Sequence, residues 1–293
     1  MRILLLGKNG QLGWELCRTL ATLGDVVALG FSQIDLTQDG AVRQVMRQMQ
    51  PQIIVNAAAY TAVDQAENEP DKALAVNGDA PGIMAEEAKA LSAAFVHYST
   101  DYVFDGKKGE PYCETDMPNP LNVYGQTKLA GERVIDQVGG AYLILRTSWV
   151  YSLRRDSFVT QVLRWARQQP TLRIVTDQVS NPTWCRMLAE ATAQVLAMGG
   201  EDVVPWLAEY RGMYHLAGDG YTSRLEWARE ILKYDPRQEE QVVQHVQPAL
   251  TAEFPSPAQR PRFSSLNCDR FFETFGIRLP DWKYALHMAM ETF

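Results

Sequence analysis

The sequence predicts an α/β fold in which helices cover both faces of a doubly wound parallel sheet. Two observations carry this prediction. The short strand candidates of the first half are apolar throughout, which is typical of strands that are buried on both faces. Segments with apolar residues at helical spacing separate these strands. Such an alternation of strand and helix favours parallel strands joined by right-handed connections.

The first half of the chain supplies most of the predicted sheet. A helical pattern runs over residues 42–49 and stops before Pro51, and a second one covers residues 83–91. A proline after the last apolar position ends a helix. The strand candidates are Ile3–Leu6, Val26–Leu29, Ile53–Ala57, Phe95–Ser99 and Leu143–Arg146.

After residue 150 the alternation of strand and helix is less regular. Ser223 and Glu226 have the spacing of a capping box, which predicts that a helix opens there. Four prolines in Gln247–Pro261 predict a long ordered loop. The remaining predicted elements are helices over Phe158–Gln168 and Met187–Met198 and a strand over Tyr214–Ala217.

Composition and charge exclude several classes of protein. The chain has 293 residues and a net charge of −7. Residues 1–150 hold 12 Lys and Arg against 18 Asp and Glu, and residues 151–293 hold 16 against 17, which gives −6 and −1. Because neither half is basic, nucleic-acid binding is not expected. No apolar run reaches the roughly 18 residues of a membrane span, and no secretory leader is recognisable.

Cysteines and histidines give no sign of a metal centre. The four cysteines are scattered without a CxxC pair, and the four histidines form no ligand cluster. This usage indicates free thiols in a reducing compartment, so we expect a cytoplasmic protein with a small-molecule ligand and no metal in its active site.

Three glycines at a spacing of three follow the first strand. Gly7, Gly10 and Gly13 lie between that strand and a helix with leucines at 12, 16, 20 and 23. Such glycines allow a tight turn, a close approach of the backbone to a pyrophosphate, and close packing of helix on strand. The helix N-terminus adds free N–H donors. We therefore predict that residues 1–150 form a Rossmann-type NAD(P)-binding domain. A smaller C-terminal substrate-binding domain, residues 151–293, is expected to interleave with it.

The end of the second strand leaves the choice of dinucleotide open. Residues 29–33 contain no acid that could bind the adenosine ribose, and no arginine that could hold a 2′-phosphate. Both NADH and NADPH thus remain candidates. Asp35 and Leu36 could reach the adenine, although an aspartate at this place could equally cap a turn.

Tyr124 and Lys128 form a YxxxK pair at the start of a predicted helix. Residues four apart lie on one helix face. A free tyrosine has a pKa near 10 and is a poor acid–base catalyst at neutral pH. We expect the Lys128 ammonium to lower the pKa of Tyr124 and to hold the cofactor ribose. Because such a spacing also arises by chance, the pair predicts a catalytic site only together with the residues at the neighbouring strand ends.

The residues that follow two of the predicted strands suit a ligand site. The strand Phe95–Ser99 is followed by Thr100 and Asp101, and ligands of open parallel sheets lie beyond the carboxyl ends of strands. Thr100 is therefore expected to polarise a substrate carbonyl. Small residues after Ile53–Ala57 would let a flat cofactor lie against the backbone.

These motifs together resemble the extended short-chain dehydrogenases/reductases, and among them a family of 4-keto nucleotide-sugar reductases. The resemblance covers almost the whole chain in order. Its segments are residues 7–16, 56–64, 99–106, 124–132, 146–151 and 260–266. The activity that it implies is hydride transfer from NADPH or NADH to the C4 keto group of dTDP-4-dehydro-L-rhamnose.

The resemblance also implies roles for individual residues. Tyr124 would donate the proton, Lys128 would be its partner and Thr100 would complete the catalytic set. Substrate contacts would include Thr100, Asp101 and Trp149. The cofactor-binding positions that the resemblance implies are Gly10, Gln11, Leu12, Asp35, Leu36, Ala59, Tyr60 and Thr61. The glycine turn, the end of the third strand and the YxxxK pair add Gly7, Gly13, Ala57, Tyr124 and Lys128 to the predicted cofactor site.

Four positions leave alternatives open. Arg262 or Arg260 could contact a substrate pyrophosphate, or either could hold the proline-rich loop through a salt bridge. Trp149 could stack on the sugar or belong to the core. Ser180 replaces a glycine of the family pattern, which leaves the local loop shape open.

The resemblance leaves assembly open between a monomer and a homodimer. Some family members bind Mg²⁺ at a dimer interface through acids that include one at the Glu15 position. Glu15 could equally be an acid that complements the dipole of its helix.

Other functions share this fold. Dehydratases carry Glu after the aspartate where this chain has Tyr102, which argues against dehydration. A 4-epimerase would have to retain NAD⁺. A non-catalytic role, as in the regulatory β-subunit of methionine adenosyltransferase, is the alternative from another class, and turnover of a 4-keto sugar discriminates it.

Overall fold

The computed structural model describes residues 1–291, and its centre is a parallel sheet of six strands. The strands of this sheet are β1 (Arg2–Leu6), β2 (Asp25–Leu29), β3 (Ile53–Asn56), β4 (Ala94–Thr100), β5 (Tyr142–Thr147) and β10 (Gly212–His215). Their order is β10-β5-β4-β3-β1-β2, with Ile3 of β1 opposite both Val26 and Ile53. The chain thus reverses direction across the sheet beside β1, and the predicted doubly wound sheet is confirmed.

Six short strands form three small pairs outside this sheet. They are β6 (Val150–Tyr151), β7 (Thr171–Val175), β8 (Val179–Ser180), β9 (Thr183–Trp184), β11 (Thr222–Ser223) and β12 (His245–Ala249). β6 pairs with β9, β7 with β12 and β8 with β11.

Helices cover both faces of the sheet. They are α1 (Gln11–Thr19), α2 (Asp39–Met49), α3 (Val63–Ala66), α4 (Pro70–Leu74), α5 (Ala80–Ala90), α6 (Val123–Val138), α7 (Phe158–Ala166), α8 (Cys185–Gly199), α9 (Val203–Glu209), α10 (Arg224–Lys233), α11 (Asp269–Phe275) and α12 (Trp282–Glu291). A π-helical turn, Ala75–Asp79, joins α4 to α5. Short 3₁₀ turns lie at Leu20–Thr22, Asp101–Val103, Gly200–Asp202, Gln238–Glu240 and Thr251–Glu253. None of the helices within residues 1–291 is long and apolar enough to cross a membrane.

Strand β1 shows why its sequence is apolar throughout. Ile3 and Leu5 pack in one core cluster with leucines of α1 and α8, whereas Leu4 and Leu6 pack in another with residues of α2 and α5. Because successive side chains of a strand point to opposite faces, both sets are buried. The two-faced burial predicted from composition is therefore confirmed.

Most of the strands and helices predicted from the sequence lie within three residues of their predicted bounds. Ser223 Oγ accepts a hydrogen bond from the Glu226 N–H at 3.1 Å, so the predicted start of α10 is confirmed. The sixth strand lies at Gly212–His215, two residues before its predicted place. The loop predicted for Gln247–Pro261 was wrong at its start, because β12 continues to Ala249. Its Pro248 is tolerated because β12 has a partner on one side only.

The division of the chain at residue 150 stays a proposal. The second part contributes β10 to the central sheet and packs α8 against α1. We propose on this basis that the two parts interleave, with residues 151–293 returning to the sheet.

Candidate active site

A cavity of about 750 Å³ opens at the carboxyl ends of β1, β3 and β4, and we call it the glycine-turn cavity. Parallel sheets bind ligands at this edge, next to the strand where the order reverses. The structure brings most of the predicted site residues together here. Those that line the cavity are Gly7, Gly10, Gln11, Leu12, Asp35, Leu36, Ala57, Ala59, Thr61, Thr100, Asp101, Tyr124, Lys128 and Trp149.

The turn between β1 and α1 requires glycine at two positions. Gly7 has a φ of +90°, and a Cβ on it would lie 2.6 Å from the nitrogen of Ala58. A Cβ on Gly13 would lie 2.1 Å from the carbonyl oxygen of Gly7. Gly13 therefore allows α1 to pack onto the turn and does not line the cavity. The extended Gly10 caps α1 without a side-chain hydrogen bond, which leaves N–H groups for an anion. This cradle fits a dinucleotide pyrophosphate.

Two further predicted cofactor-binding residues, Tyr60 and Asp35, form hydrogen bonds within the protein. Tyr60 does not line the cavity: its N–H donates to Asn77 Oδ1 at 2.8 Å, and its hydroxyl donates to Glu69 at 3.1 Å. Asp35 lines the cavity and accepts the N–H of Thr37 at 2.9 Å, which confirms the turn alternative, whereas its contact with the adenine stays a prediction. Hydrogen bonds from Thr37 lower the pKa of Asp35. Exposed Phe31, which sequence reasoning missed, lines the cavity beside it.

Helix α6 directs both residues of the YxxxK pair into the cavity. Asn122 caps this helix by accepting the N–H of Gly125 at 2.8 Å. Tyr124 and Lys128 then lie one turn apart on the side that lines the cavity. Burial raises the pKa of Tyr124, and the hydroxyl of Thr100 lowers it in part. The phenol is therefore protonated near neutral pH.

Lys128 is held by β4 rather than by Tyr124. Its Nζ donates to the carbonyl oxygen of Tyr98 at 2.6 Å and lies 3.0 Å from His97 Nε2. Burial lowers the pKa of Lys128 to about 8, and Glu132 raises it in part. The expectation that Lys128 lowers the pKa of Tyr124 was wrong for the protein without ligand, because burial dominates that pKa and Lys128 does not contribute to it.

Asp101 is buried at the end of β4 and accepts hydrogen bonds from three hydroxyl groups. The donors are Thr100 at 3.2 Å, Ser180 at 3.1 Å and Ser264 at 2.5 Å. Burial raises the pKa of Asp101 to about 6, although these hydroxyls lower it in part. Ser180 lies in β8, so the residue that departs from the family pattern supplies a hydroxyl to the Asp101 carboxylate. The carboxylate thereby joins β4 to two segments of the second half.

Trp149 both lines the cavity and packs against the second half of the chain. Its ring is stacked on Trp227 with centroids 5.5 Å apart. The guanidinium of Arg224, the first residue of α10, lies 3.7 Å from the centroid of the Trp149 ring. Trp149 is therefore a packed residue at the cavity wall, and its contact with the sugar stays a prediction.

A second cavity of about 760 Å³, the C-terminal cavity, lies among segments of the second half. Arg224 and Arg260 line it together with side chains of α7 and β7. Burial lowers the pKa of Arg224 to about 10. Sequence reasoning missed Arg224, and the only local signal was its place directly after the capping Ser223.

The two arginines near residue 260 differ in their surroundings. Arg260 pairs with Asp64, Nη2 to Oδ2 at 2.7 Å, as the salt-bridge reading predicts, and it also lines the C-terminal cavity. Arg262 is exposed and lines neither cavity. Its predicted substrate contact gains no support from this placement.

A Mg²⁺ site at Glu15 is not supported. Burial raises the pKa of Glu15, while Arg186, Arg18 and Arg154 lower it. Arginines around a carboxylate oppose a divalent cation by charge. Across residues 1–291 there is no group of three or more His, Cys, Asp or Glu that could hold a metal ion.

The sheet order, the glycine turn and the Thr100, Tyr124 and Lys128 set define a Rossmann-type protein of the short-chain dehydrogenase/reductase class. Residues 1–293 match the family model described as the RmlD substrate binding domain. The chain belongs to this family.

Named relatives extend over the whole chain. A dTDP-4-dehydrorhamnose reductase of Burkholderia thailandensis is 42% identical and aligns over 99% of this chain and 98% of its own length. The structure of a dTDP-4-dehydrorhamnose reductase from Clostridium acetobutylicum is similar, with a TM-score of 0.91 and 33% sequence identity. This alignment covers 100% of this chain and 99% of that one. The structure of a dTDP-4-dehydrorhamnose reductase from Bacillus anthracis in complex with NADP is also similar, with a TM-score of 0.88 and 32% sequence identity. This alignment covers 100% of this chain and 99% of that one.

Proposed function

We propose that this protein reduces the C4 keto group of dTDP-4-dehydro-L-rhamnose to dTDP-L-rhamnose with NADPH or NADH, the last step of dTDP-rhamnose synthesis. The observation that carries the proposal is that Thr100, Tyr124 and Lys128 line the same cavity as the glycine turn. Relatives named dTDP-4-dehydrorhamnose reductase support it, since the chain is 42% identical to one of them over 293 residues.

The chemistry divides between the dinucleotide and the chain. When bound, the reduced nicotinamide supplies the hydride. Tyr124 donates a proton to the oxygen of the former carbonyl, and Thr100 donates a hydrogen bond to that oxygen. The raised pKa of Tyr124 supports this role, because a proton donor must carry its proton before the reaction. Lys128 holds the cofactor ribose and, when charged, stabilises the tyrosinate that remains.

The two cavities divide the binding of the two nucleotides. The N–H groups behind Gly7 and Gly10 hold the cofactor pyrophosphate. Arg224 and Arg260 in the C-terminal cavity hold the anionic nucleotide of the substrate. Trp149, whose ring lies against Arg224, contacts the sugar. We further propose a cytoplasmic enzyme, monomeric or homodimeric, whose partners are small molecules and neither nucleic acid nor membrane.

One assay tests this function. Purified protein is mixed with enzymatically prepared dTDP-4-dehydro-L-rhamnose, and the oxidation of NADPH and of NADH is followed in parallel by absorbance. We expect oxidation that is stoichiometric with dTDP-L-rhamnose, identified by chromatography. Without oxidation of either cofactor the reductase proposal is rejected, and nucleotide binding without turnover would favour a regulatory subunit.

A further inference from the structure

Behind the glycine-turn cavity, three buried polar side chains form a chain that ends at Lys128. Asn56 and His97 are fully buried, and Lys128 is 2% exposed. Asn56 Nδ2 lies 3.1 Å from His97 Nδ1, and His97 Nε2 lies 3.0 Å from Lys128 Nζ. The proposed reaction assigns no role to Asn56 or to His97.

The hydrogen-bond directions in this chain fix the tautomer of His97. The N–H of Ala58 donates to Asn56 Oδ1 at 3.1 Å, which leaves the amide nitrogen Nδ2 facing the imidazole. An amide nitrogen donates only, so Nδ1 of His97 must be the acceptor. A neutral imidazole with a free Nδ1 carries its proton on Nε2.

That proton points at Lys128. Nζ already donates to the carbonyl oxygen of Tyr98 at 2.6 Å, and the His97 N–H faces it from 3.0 Å. An ammonium has three donors and no acceptor, whereas a neutral amine has a lone pair that can accept this N–H. The contact with His97 therefore favours the neutral amine over the ammonium.

We propose that His97 is a positioning residue that sets the charge state of Lys128: Asn56 fixes its tautomer, and its Nε2–H opposes protonation of Nζ. The proposal rests on the proposed function for the role of Lys128, but its structural part concerns the protein without ligand. In that state Lys128 is an amine over part of the working pH range, and only its charged form can stabilise a tyrosinate.

The ionisable groups around Nζ are consistent with this assignment. Burial lowers the pKa of Lys128 to about 8, and burial followed by the charge of Lys128 keeps the pKa of His97 well below its usual value. Glu132, one turn further on α6, raises the pKa of Lys128. Glu132 is itself paired with Arg146 of β5 at 2.7 Å.

Two further ionisable groups, Tyr124 and Asp101, line the same cavity as Lys128. Tyr124 lies on the same helix face, and its raised pKa leaves it uncharged near neutral pH. Asp101 follows β4 and is held by hydroxyl groups, with a pKa raised by burial to about 6.

The first test reads the tautomer directly in the protein without ligand. Long-range ¹H–¹⁵N correlation of the imidazole nitrogens distinguishes the two tautomers in uniformly ¹⁵N-labelled wild-type protein. We expect the proton of His97 on Nε2. His215 is the internal reference, because its Nδ1 donates to the carbonyl oxygens of Tyr112 at 3.0 Å and Asn267 at 3.2 Å. His97→Gln assigns the signal, and a proton on Nδ1 of His97 overturns the proposal.

The second test measures the pH dependence of kcat/KM for dTDP-4-dehydro-L-rhamnose at saturating NADPH. Loss of the Lys128 proton limits kcat/KM on the alkaline side. The amide oxygen of His97→Gln can accept from Nζ, so we expect the alkaline limb to move upward by about one pH unit. His215→Gln, at a histidine that is equally buried but contacts the carbonyl oxygens of Tyr112 and Asn267, is expected to leave the limb in place. An unmoved limb in His97→Gln overturns the proposal.

The two tests separate this proposal from the proposed function. A protein without reductase activity would reject the function, while the tautomer measurement would still decide the structural part. Should His97→Gln fail to fold, the wild-type spectrum still gives the answer, because His245 and His287 are exposed whereas His97 and His215 are buried. The two buried histidines are then told apart by His215→Gln.

Discussion

The glycine-turn cavity and the C-terminal cavity have similar volumes, about 750 and 760 Å³, but they are built differently. Glycines and alanines that follow β1, β2 and β3 line part of the first, at the edge of a regular sheet. Side chains from α7, β7, α10 and the loop before residue 261 line the second. A site that needs the backbone to approach its ligand requires glycines at fixed places, whereas a site built from distant side chains requires no local pattern.

The largest expected effect concerns the proton transfer that we assign to the glycine-turn cavity. Tyr124→Phe removes the proton donor and leaves the ring in place, so we expect kcat to fall by about 100- to 10,000-fold. Cofactor affinity, measured by fluorescence titration with NADPH, should change by no more than about twofold, because the glycine turn remains intact. Steady-state NADPH oxidation measures the first quantity.

The matched control for this variant is Tyr112→Phe. Tyr112 is also buried and its hydroxyl is also bonded, to Asp105 at 3.0 Å, but it lines neither cavity. Its variant should keep turnover near the wild-type value. Turnover of Tyr124→Phe that matches that of Tyr112→Phe would contradict the assigned proton donor.

The comparison also separates what the sequence could predict from what it could not. Three glycines after an apolar strand imply a dinucleotide cradle, because few other arrangements need them. The spacing of Tyr124 and Lys128 placed both on one helix face correctly. It could not show that β4 holds Lys128 through His97, since that contact joins residues 31 positions apart. The pKa expected for Tyr124 failed for the same reason, because burial arises from the assembled fold.

The substrate side shows the same limit more strongly. Arg262 is an arginine that could contact a pyrophosphate, but its exposed side chain lines neither cavity. Arg224 reaches Trp149 from α10, 75 positions along the chain. Sequence patterns report neighbours along one element, and a guanidinium that crosses between segments leaves no periodic signal.

An intermediate effect is expected in the C-terminal cavity. Arg224→Ala removes the guanidinium that we assign to the substrate nucleotide, and loss of a charge-assisted hydrogen bond should raise KM for dTDP-4-dehydro-L-rhamnose about tenfold. KM for NADPH should stay unchanged. Arg224→Lys keeps the charge but loses the planar stack on Trp149, so we expect a smaller increase.

Arg186→Ala is the control for this region. Arg186 is a half-exposed arginine that pairs with Glu190 at 3.0 Å and lines neither cavity. Its removal should leave both KM values as they are. If Arg224→Ala raised both KM values alike, the two cavities would not bind separate nucleotides.

The smallest expected effect tests the glycine-turn cavity and the choice of cofactor. The Cγ of Lys8 lies 3.5 Å from the place of a Cβ on Gly30, directly after β2, where an acid commonly binds the ribose. We propose that Lys8 neutralises a 2′-phosphate there, at a position where the sequence provides no arginine. We expect Lys8→Ala to raise KM for NADPH about fivefold, as an exposed charge pair would, and to leave KM for NADH unchanged. The effect on NADPH should shrink as salt is added, because salt screens exposed charges. Equal changes for NADPH and NADH would assign Lys8 to the shape of the turn instead of the phosphate.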